Sequence, residues 1–337
     1  MKESQNKLLR VFVTGSTGFI GGNLSLKLAR SGCLVHALSR SEQKATRIRH
    51  KNIRIFKGDI LDRASLQMAM RDCQQVYHLG ACTKAWVQSR EQYVRVNVSG
   101  TINILETARK MGIEKIVVTS TAGVLGPSRR SARDEASNGI ADLLTEYDHS
   151  KYLMEQKVKE HVKSGLHIVL VNPTRVYGPG LLSQANSASK LIHMYLQGKW
   201  RIIPGAGRKI SNYVFVDDVV DGHILAMEKG RPGERYILGG PNTTYSDFFK
   251  TLADISNKRY AMFKFPGPLL IGISGLMLLF TKMSGSPPLI TPQYVRKYLQ
   301  DWEVSSNKAE KELGYVITPL EKGLEKTIAW LNEINIF

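Results

Sequence analysis

The sequence predicts an α/β fold: a doubly wound parallel sheet with a smaller C-terminal lobe. Three observations lead there. Strand-like apolar runs alternate with helical periodicity through the first half of the 337 residues. The first run stops at a glycine, and two more glycines follow at intervals of three in TGSTGFIGG. Beyond Gly180 the alternation gives way to helices interleaved with isolated strand-like pieces.

In order, VFVTG is the first strand, and Phe19, Ile20, Leu24 and Leu28 recur at helical spacing until Ser31-Gly32 ends that helix. CLVHALS and IRIFKGD are the second and third strands. A short helix over 64–71 precedes QQVYHLGA, and a long helical stretch over 92–111 leads to KIVVTSTAG. A helix over 150–163 precedes HIVLVNPTRVYG. Strands separated by helices pair in parallel through right-handed crossovers. Helices near 184–197, 244–256 and 290–300 and the strand RYILGG belong to the later chain. The expected division is a dinucleotide-binding domain over 1–180, completed by 213–240, and a substrate lobe over 181–212 and 241–337.

Composition narrows the class. A hydrophobic content of 42% supports a sizeable core, and 23% charged residues argue against wholesale disorder. Cys33, Cys73 and Cys82 are odd in number and lack metal-type spacing, so they read as reduced thiols of a cytoplasmic protein, with no metal site. MKESQNK is too polar and short for a signal peptide. The net charge of +18 raises nucleic acid or acidic lipid as partners. The basic residues are scattered, however, and no nucleic-acid-binding signature accompanies them, which favours a basic solvated surface. FPGPLLIGISGLMLLF (265–280) is shorter than the ~20 residues a spanning helix needs. A buried or substrate-facing helix is favoured there over peripheral membrane contact.

A strand that turns into a helix at Gly15, Gly18 and Gly21 suits a pyrophosphate, because the helix start offers unpaired N–H groups and partial positive charge. Gly15 permits the turn, Gly18 removes a side chain that would block the phosphates, and Gly21 lets helix and strand pack closely. Thr17, Phe19 and Ile20 complete that loop. The second strand ends in Ser39-Arg40-Ser41 with no carboxylate to hold ribose hydroxyls, and a guanidinium pairs well with a 2′-phosphate. NADP(H) is therefore favoured over NAD(H). Asp59, followed by Ile60, stands where a carboxylate can accept from the adenine amino group or serve the next helix start.

Tyr147 and Lys151 in YDHSK are one helical turn apart and can address one site. An ammonium beside a phenol lowers its pKa, fitting Tyr147 to protonate a carbonyl oxygen as hydride arrives. A hydroxyl at the end of the fifth strand, Thr121 or its neighbour Ser120, would bond the same oxygen.

Taken in order, TGSTGFIG, GDILD, HLGA, NVSGT, TSTAGVLG, YDHSK, NPTRVYGPG and YVFVDDV resemble the extended short-chain dehydrogenase/reductases over nearly the whole chain. The resemblance implies a Rossmann domain with a seven-stranded parallel sheet and a catalytic set of Thr121, Tyr147 and Lys151, with Lys151 also holding the nicotinamide ribose. Asn97 is similar to a residue that kinks its helix and supports the site. His78, Leu79, Gly80 and Ala81 would line the ribose and diphosphate, and Pro173 and Thr174 the nicotinamide. A homodimer through the helices at 92–111 and 150–163 is also implied.

Nucleotide-sugar members of the family commonly carry an Arg-Asp pair before the VDD motif, where this chain has Ser211 and Asn212. Arg201, Arg208 and Lys209 lie nearby. GERYILGGPNTTYSDF and GYVITPLEKGLEKTIAWL instead resemble dihydroflavonol-4-reductase-like proteins. The expected activity is thus reduction of a ketone, or oxidation of a secondary alcohol, on a small, moderately hydrophobic substrate. A nucleotide-sugar epimerase/dehydratase and a catalytically silent cofactor-binding sensor are the alternatives.

Overall fold

The computed structural model describes residues 8–334. The MKESQNK segment read above lies outside the described residues. The first half runs β1 (Arg10–Thr14), α1 (Phe19–Arg30), β2 (Leu34–Ser39), α2 (Glu42–Ala45), β3 (Ile53–Lys57), α3 (Arg63–Met70) and β4 (Gln75–His78). It continues through α4 (Glu91–Tyr93), α5 (Gly100–Lys110), β5 (Lys115–Thr119), α6 (Glu146–Lys163) and β6 (Ile168–Pro173). Next come β7 (Arg175–Tyr177), α7 (Ser187–Leu196), β8 (Ile202–Pro204), β9 (Ile210–Phe215), α8 (Val216–Lys229) and β10 (Arg235–Leu238). The chain closes with β11 (Asn242–Thr244), α9 (Tyr245–Ser256), β12 (Phe263–Phe265), α10 (Gly267–Ser284), α11 (Pro292–Tyr298), α12 (Asn307–Leu313) and α13 (Leu320–Glu333).

Seven strands form one parallel sheet in the order β10-β6-β5-β4-β1-β2-β3. Alternation along β1 shows how it is buried on both faces. Val11 and Val13 join the core with residues of α1 and α8, while Phe12 joins the opposite core with residues of α3, α5 and α6. The strand order reverses between β1 and β4, and the crevice beyond their carboxyl ends is where such sheets take ligands.

Two expectations change here. Of the stretch 213–240, only β10 joins the large sheet and α8 packs on it; Tyr213–Phe215 belong to β9, in a three-stranded sheet with β7 and β11. That small sheet sits in an aromatic core where Tyr213 stacks on Phe248 at 4.3 Å. Second, the 265–280 segment is not a buried helix. α10 exposes Leu269, Ile273, Leu276, Leu279 and Phe280, and it lies against α11. No helix among the described residues is long and apolar enough to cross a membrane.

Candidate active site

The glycine turn is built by close approach. Gly15 has φ +66°, and a Cβ there would lie 2.7 Å from the Leu79 carbonyl, so the loop after β1 rests directly on the end of β4. A Cβ on Gly21 would come within 2.2 Å of Gly15 O, which makes the turn itself the surface that the helix must clear. At the start of α1, Gly18 is extended and makes no side-chain cap, and no acidic residue occupies the first turn. The amides of that turn are left facing the crevice with no carboxylate to compete, a donor set that fits a diphosphate. Thr17 and Ile20 are half-buried and Gly18 is exposed. Phe19 differs from expectation: its side chain lies in the core, so only its main chain can meet a ligand.

Around this turn, Arg40 is exposed at the end of β2, its guanidinium 3.9 Å from an Asp59 carboxylate oxygen. The other Asp59 oxygen accepts from Leu61 N at 3.0 Å, and Asp62, not Asp59, caps α3. Ile60 turns inward: a Cβ on Gly100 would sit 2.6 Å from its Cδ1. Leu79, Gly80 and Ala81 line the β4 side, half-buried, with Gly80 N donating to Thr14 Oγ1 at 3.0 Å. His78 is corrected from a lining residue to a strut. It is buried, bonded at one ring nitrogen to Thr14 (2.7 Å) and at the other to Thr101 (2.9 Å). Burial, with the Lys151 charge adding to it, lowers its pKa to about 3, so the ring is neutral.

The second cluster forms where β5 and β6 end against the start of α6. Lys151 is buried and its Nζ donates to Thr119 O at 2.7 Å. Burial lowers its pKa to about 8, opposed by Glu155. Tyr147, one turn earlier, departs from expectation. Burial first, then the Asp148 charge, hold its phenol above the ordinary range, and the Lys151 ammonium does not offset them because it points to the β5 carbonyl. Thr121 Oγ1 accepts from Gly123 N at 3.1 Å, which leaves its hydrogen to donate. The buried Ser120 hydroxyl has no partner in the protein, so both hydroxyls considered from sequence remain open to a ligand. Pro173 is buried at the end of β6, and Thr174 donates to Asn212 Oδ1 at 2.7 Å.

Asn97 sits in a π-helical turn, Val94–Ser99, that runs into α5. Its amide bonds Cys82 N (2.7 Å), Cys82 O (3.2 Å) and Ser150 Oγ (2.8 Å). Asn97 thus pins the loop after β4 to α6 and is a positioning residue; its side chain is spent on the protein.

Three residues in and around this cluster and the adjoining α11 were missed from sequence: Thr145 and Asp148 beside Tyr147, and Arg175 against α11. Asp148, wholly buried, receives Lys297 of α11 on both carboxylate oxygens at 2.8 Å. Thr145 caps α6 and its hydroxyl donates to Asp148 at 2.7 Å. The Thr-x-x-Asp spacing is a helix-start signal that was available in the sequence. Arg175 faces the rings of Tyr298, Tyr213 and Tyr245 at 4.8, 5.3 and 5.7 Å, tying α11 to β7 and α9. Nothing in the local sequence marks it.

The sequence pattern of the NAD dependent epimerase/dehydratase family matches residues 11–239, from β1 through β10. This chain belongs to that family. Among curated relatives, a Synechocystis protein named "Putative dihydroflavonol 4-reductase" is 30% identical over 95% of this chain and 93% of its own. The 4-hydroxy-2-methyl-3-oxo-4-farnesyl-3,4-dihydroquinoline-1-oxide ketoreductase of Stigmatella aurantiaca is 31% identical over 68% of each. Among solved structures, UDP-glucose 4-epimerase of Thermotoga maritima superposes with a TM-score of 0.79 over 97% of this chain and 99% of its own, at 23% identity, which speaks to the fold. The family binds nicotinamide dinucleotides.

Proposed function

We propose that this family member is an NADPH-dependent reductase of a ketone on a moderately hydrophobic substrate, or runs the reverse oxidation of the secondary alcohol. One arrangement carries the reading: Tyr147, its phenol held protonated, stands one turn before Lys151 on α6, the buried Lys151 ammonium is fixed at the end of β5 by Thr119 O, and the Ser120 and Thr121 hydroxyls that follow β5 keep a hydrogen to donate. A nicotinamide dinucleotide bound along the glycine turn supplies or accepts the hydride. Tyr147 Oη gives its proton to the carbonyl oxygen as the carbon becomes C–H, and takes it back in oxidation. Thr121 donates a hydrogen bond to the same oxygen, and Lys151, fixed on Thr119 O, sets positive charge beside it. Pro173 and Thr174 close the far side. The same reading gives a homodimer packed through 92–111 and 150–163, where Val94 and Leu153 stand exposed.

Against a nucleotide-sugar substrate stand the residues before the VDD motif. Ser211 and Asn212 are buried, and Asn212 is spent on Thr174 and Gly240 N. Nearby, Lys209 is paired with Asp301 and Arg201 lies over Tyr260 at 4.0 Å. The relatives named as a dihydroflavonol 4-reductase and a ketoreductase support the same reading. The test is turnover of a ketone panel with NADPH and NADH, beside UDP-glucose followed by proton NMR. NADPH oxidation with apolar ketones supports the proposal; interconversion of UDP-sugars with no ketone turnover overturns it.

A further inference from the structure

α10 is built inside out. Ser274 and Thr281 face the protein, each donating to a carbonyl of its own helix, Ile271 O at 2.8 Å and Met277 O at 2.9 Å. Gly267 is on that side too, where a Cβ would meet Leu299 of the α11 segment at 2.8 Å. The opposite side is apolar. Leu269, Ile273, Leu276 and Phe280, at i, i+4, i+7 and i+11, form one stripe and are 57, 41, 68 and 65% exposed. Leu279 borders the stripe, and Phe263 before the helix and Leu289 after it are exposed as well. An exposed apolar stripe of this length marks a contact surface.

Charge says what covers it. From Ile255 to Gln300 the chain carries Lys258, Arg259, Lys264, Lys282, Arg296 and Lys297 and no aspartate or glutamate. Lys264, just before α10, and Arg296, on α11, are exposed, and both lie toward the end where Gly267 meets Leu299. Arg259 is paired with Asp254 and Lys297 with Asp148, and two copies meeting stripe to stripe would bring the exposed Lys264 and Arg296 of each to one interface. An anionic bilayer satisfies both features at once, with basic groups at the phosphates and apolar side chains among the acyl chains. Because α10 cannot cross a membrane, the seating is in the plane of the surface.

We propose that α10 docks this protein on membranes containing anionic lipid, with Leu269, Ile273, Leu276 and Phe280 inserted and Lys264 and Arg296 on the headgroups. α10 packs on α11, whose Lys297 holds the residue next to Tyr147. Docking therefore places the membrane beside the wall of the candidate site.

The test is flotation of the full-length protein with vesicles of phosphatidylcholine alone or mixed equally with phosphatidylglycerol. The protein should float with the mixed vesicles, and added salt should weaken that binding. Leu276→Glu/Phe280→Glu should reduce the bound fraction about tenfold or more, and Lys264→Glu/Arg296→Glu should abolish the preference for anionic lipid. All four side chains point to solvent, and matching far-ultraviolet circular dichroism melts check that the fold is kept. If the first variant unfolds, the charge variant still decides. Absence of flotation by the wild-type chain overturns the proposal, as does unchanged binding by both variants. So does a wild-type dimer, seen by sedimentation, that Leu276→Glu/Phe280→Glu splits while no vesicle binding is found.

Discussion

Lys297 holds both carboxylate oxygens of Asp148 at 2.8 Å, and so fastens α11 to the helix that carries Tyr147. Gly123 makes room for the pair, since a Cβ there would fall 2.2 Å from Asp148 Oδ1. Lys297 also lies 4.8 Å over the Trp302 ring, which holds its ammonium in place. α6 and α11 are thus tied together at this pair.

Removing the cation leaves a wholly buried carboxylate unpaired. Lys297→Met is expected to cost about 3 kcal/mol and lower the melting temperature. Asp148→Asn/Lys297→Met should recover part of that loss, because no charge then remains buried. A thermal double-mutant cycle measures the coupling; additive losses would show the pair to be inert.

Tyr147→Phe removes only the hydroxyl. Turnover of any ketone substrate should fall by about 10²–10⁴-fold, the range for a positioned proton donor, while affinity for NADPH stays near wild type. Steady-state rates with fluorescence titration of NADPH separate the two effects. Retained turnover would move the proton donor elsewhere.

Under the proposed mechanism Lys151 sets the pH dependence. Its pKa is lowered from 10.5 to about 8, so the ammonium is present below that value and lost above it. The reduction rate should decline as pH rises through about 8, whereas Tyr147, held high, stays protonated throughout. Stability moves the other way. Between about 8 and 10.5 the unfolded chain binds the proton that the folded chain has released, so unfolding becomes harder as pH rises in that window. Initial rates and urea midpoints over that range check both signs. A rate that holds level well past pH 8 would remove Lys151 from the role.

Much of this was legible because it depends on local pattern. Strand and helix alternation foretold a doubly wound parallel sheet, the family resemblance its seven strands, and the glycine spacing a tight turn with the helix packed close on it. Contacts between residues distant in sequence were not legible. Whether Lys151 faces Tyr147 or Thr119 O depends on where β5 ends relative to α6, which no spacing encodes. His78 reads as a ligand neighbour in HLGA, yet Thr101 claims its outer nitrogen. The partner of Asp148 lies in α11, 149 residues away. α10 misled for a different reason: apolar composition signals burial only when a core is there to receive it, and this helix has its polar side inward.

The proposed preference for NADPH rests on Arg40. Its side chain is 76% exposed, and the Asp59 contact at 3.9 Å is too long and too solvated to hold it firmly. A 2′-phosphate can therefore compete for the guanidinium, with Asp59 as the opposing charge. Arg40→Ser should weaken NADPH about tenfold or more and leave NADH nearly unchanged, since a charge-assisted pair is lost only with the phosphorylated cofactor. Asp59→Asn should do the reverse for NADPH, tightening it a few-fold by removing the rival carboxylate. Calorimetric titration of both cofactors against the three proteins gives the answer. Tighter NADH than NADPH in the wild type, or equal losses for the two in Arg40→Ser, would assign Arg40 to the solvated surface and leave the ribose without a selecting group at the end of β2.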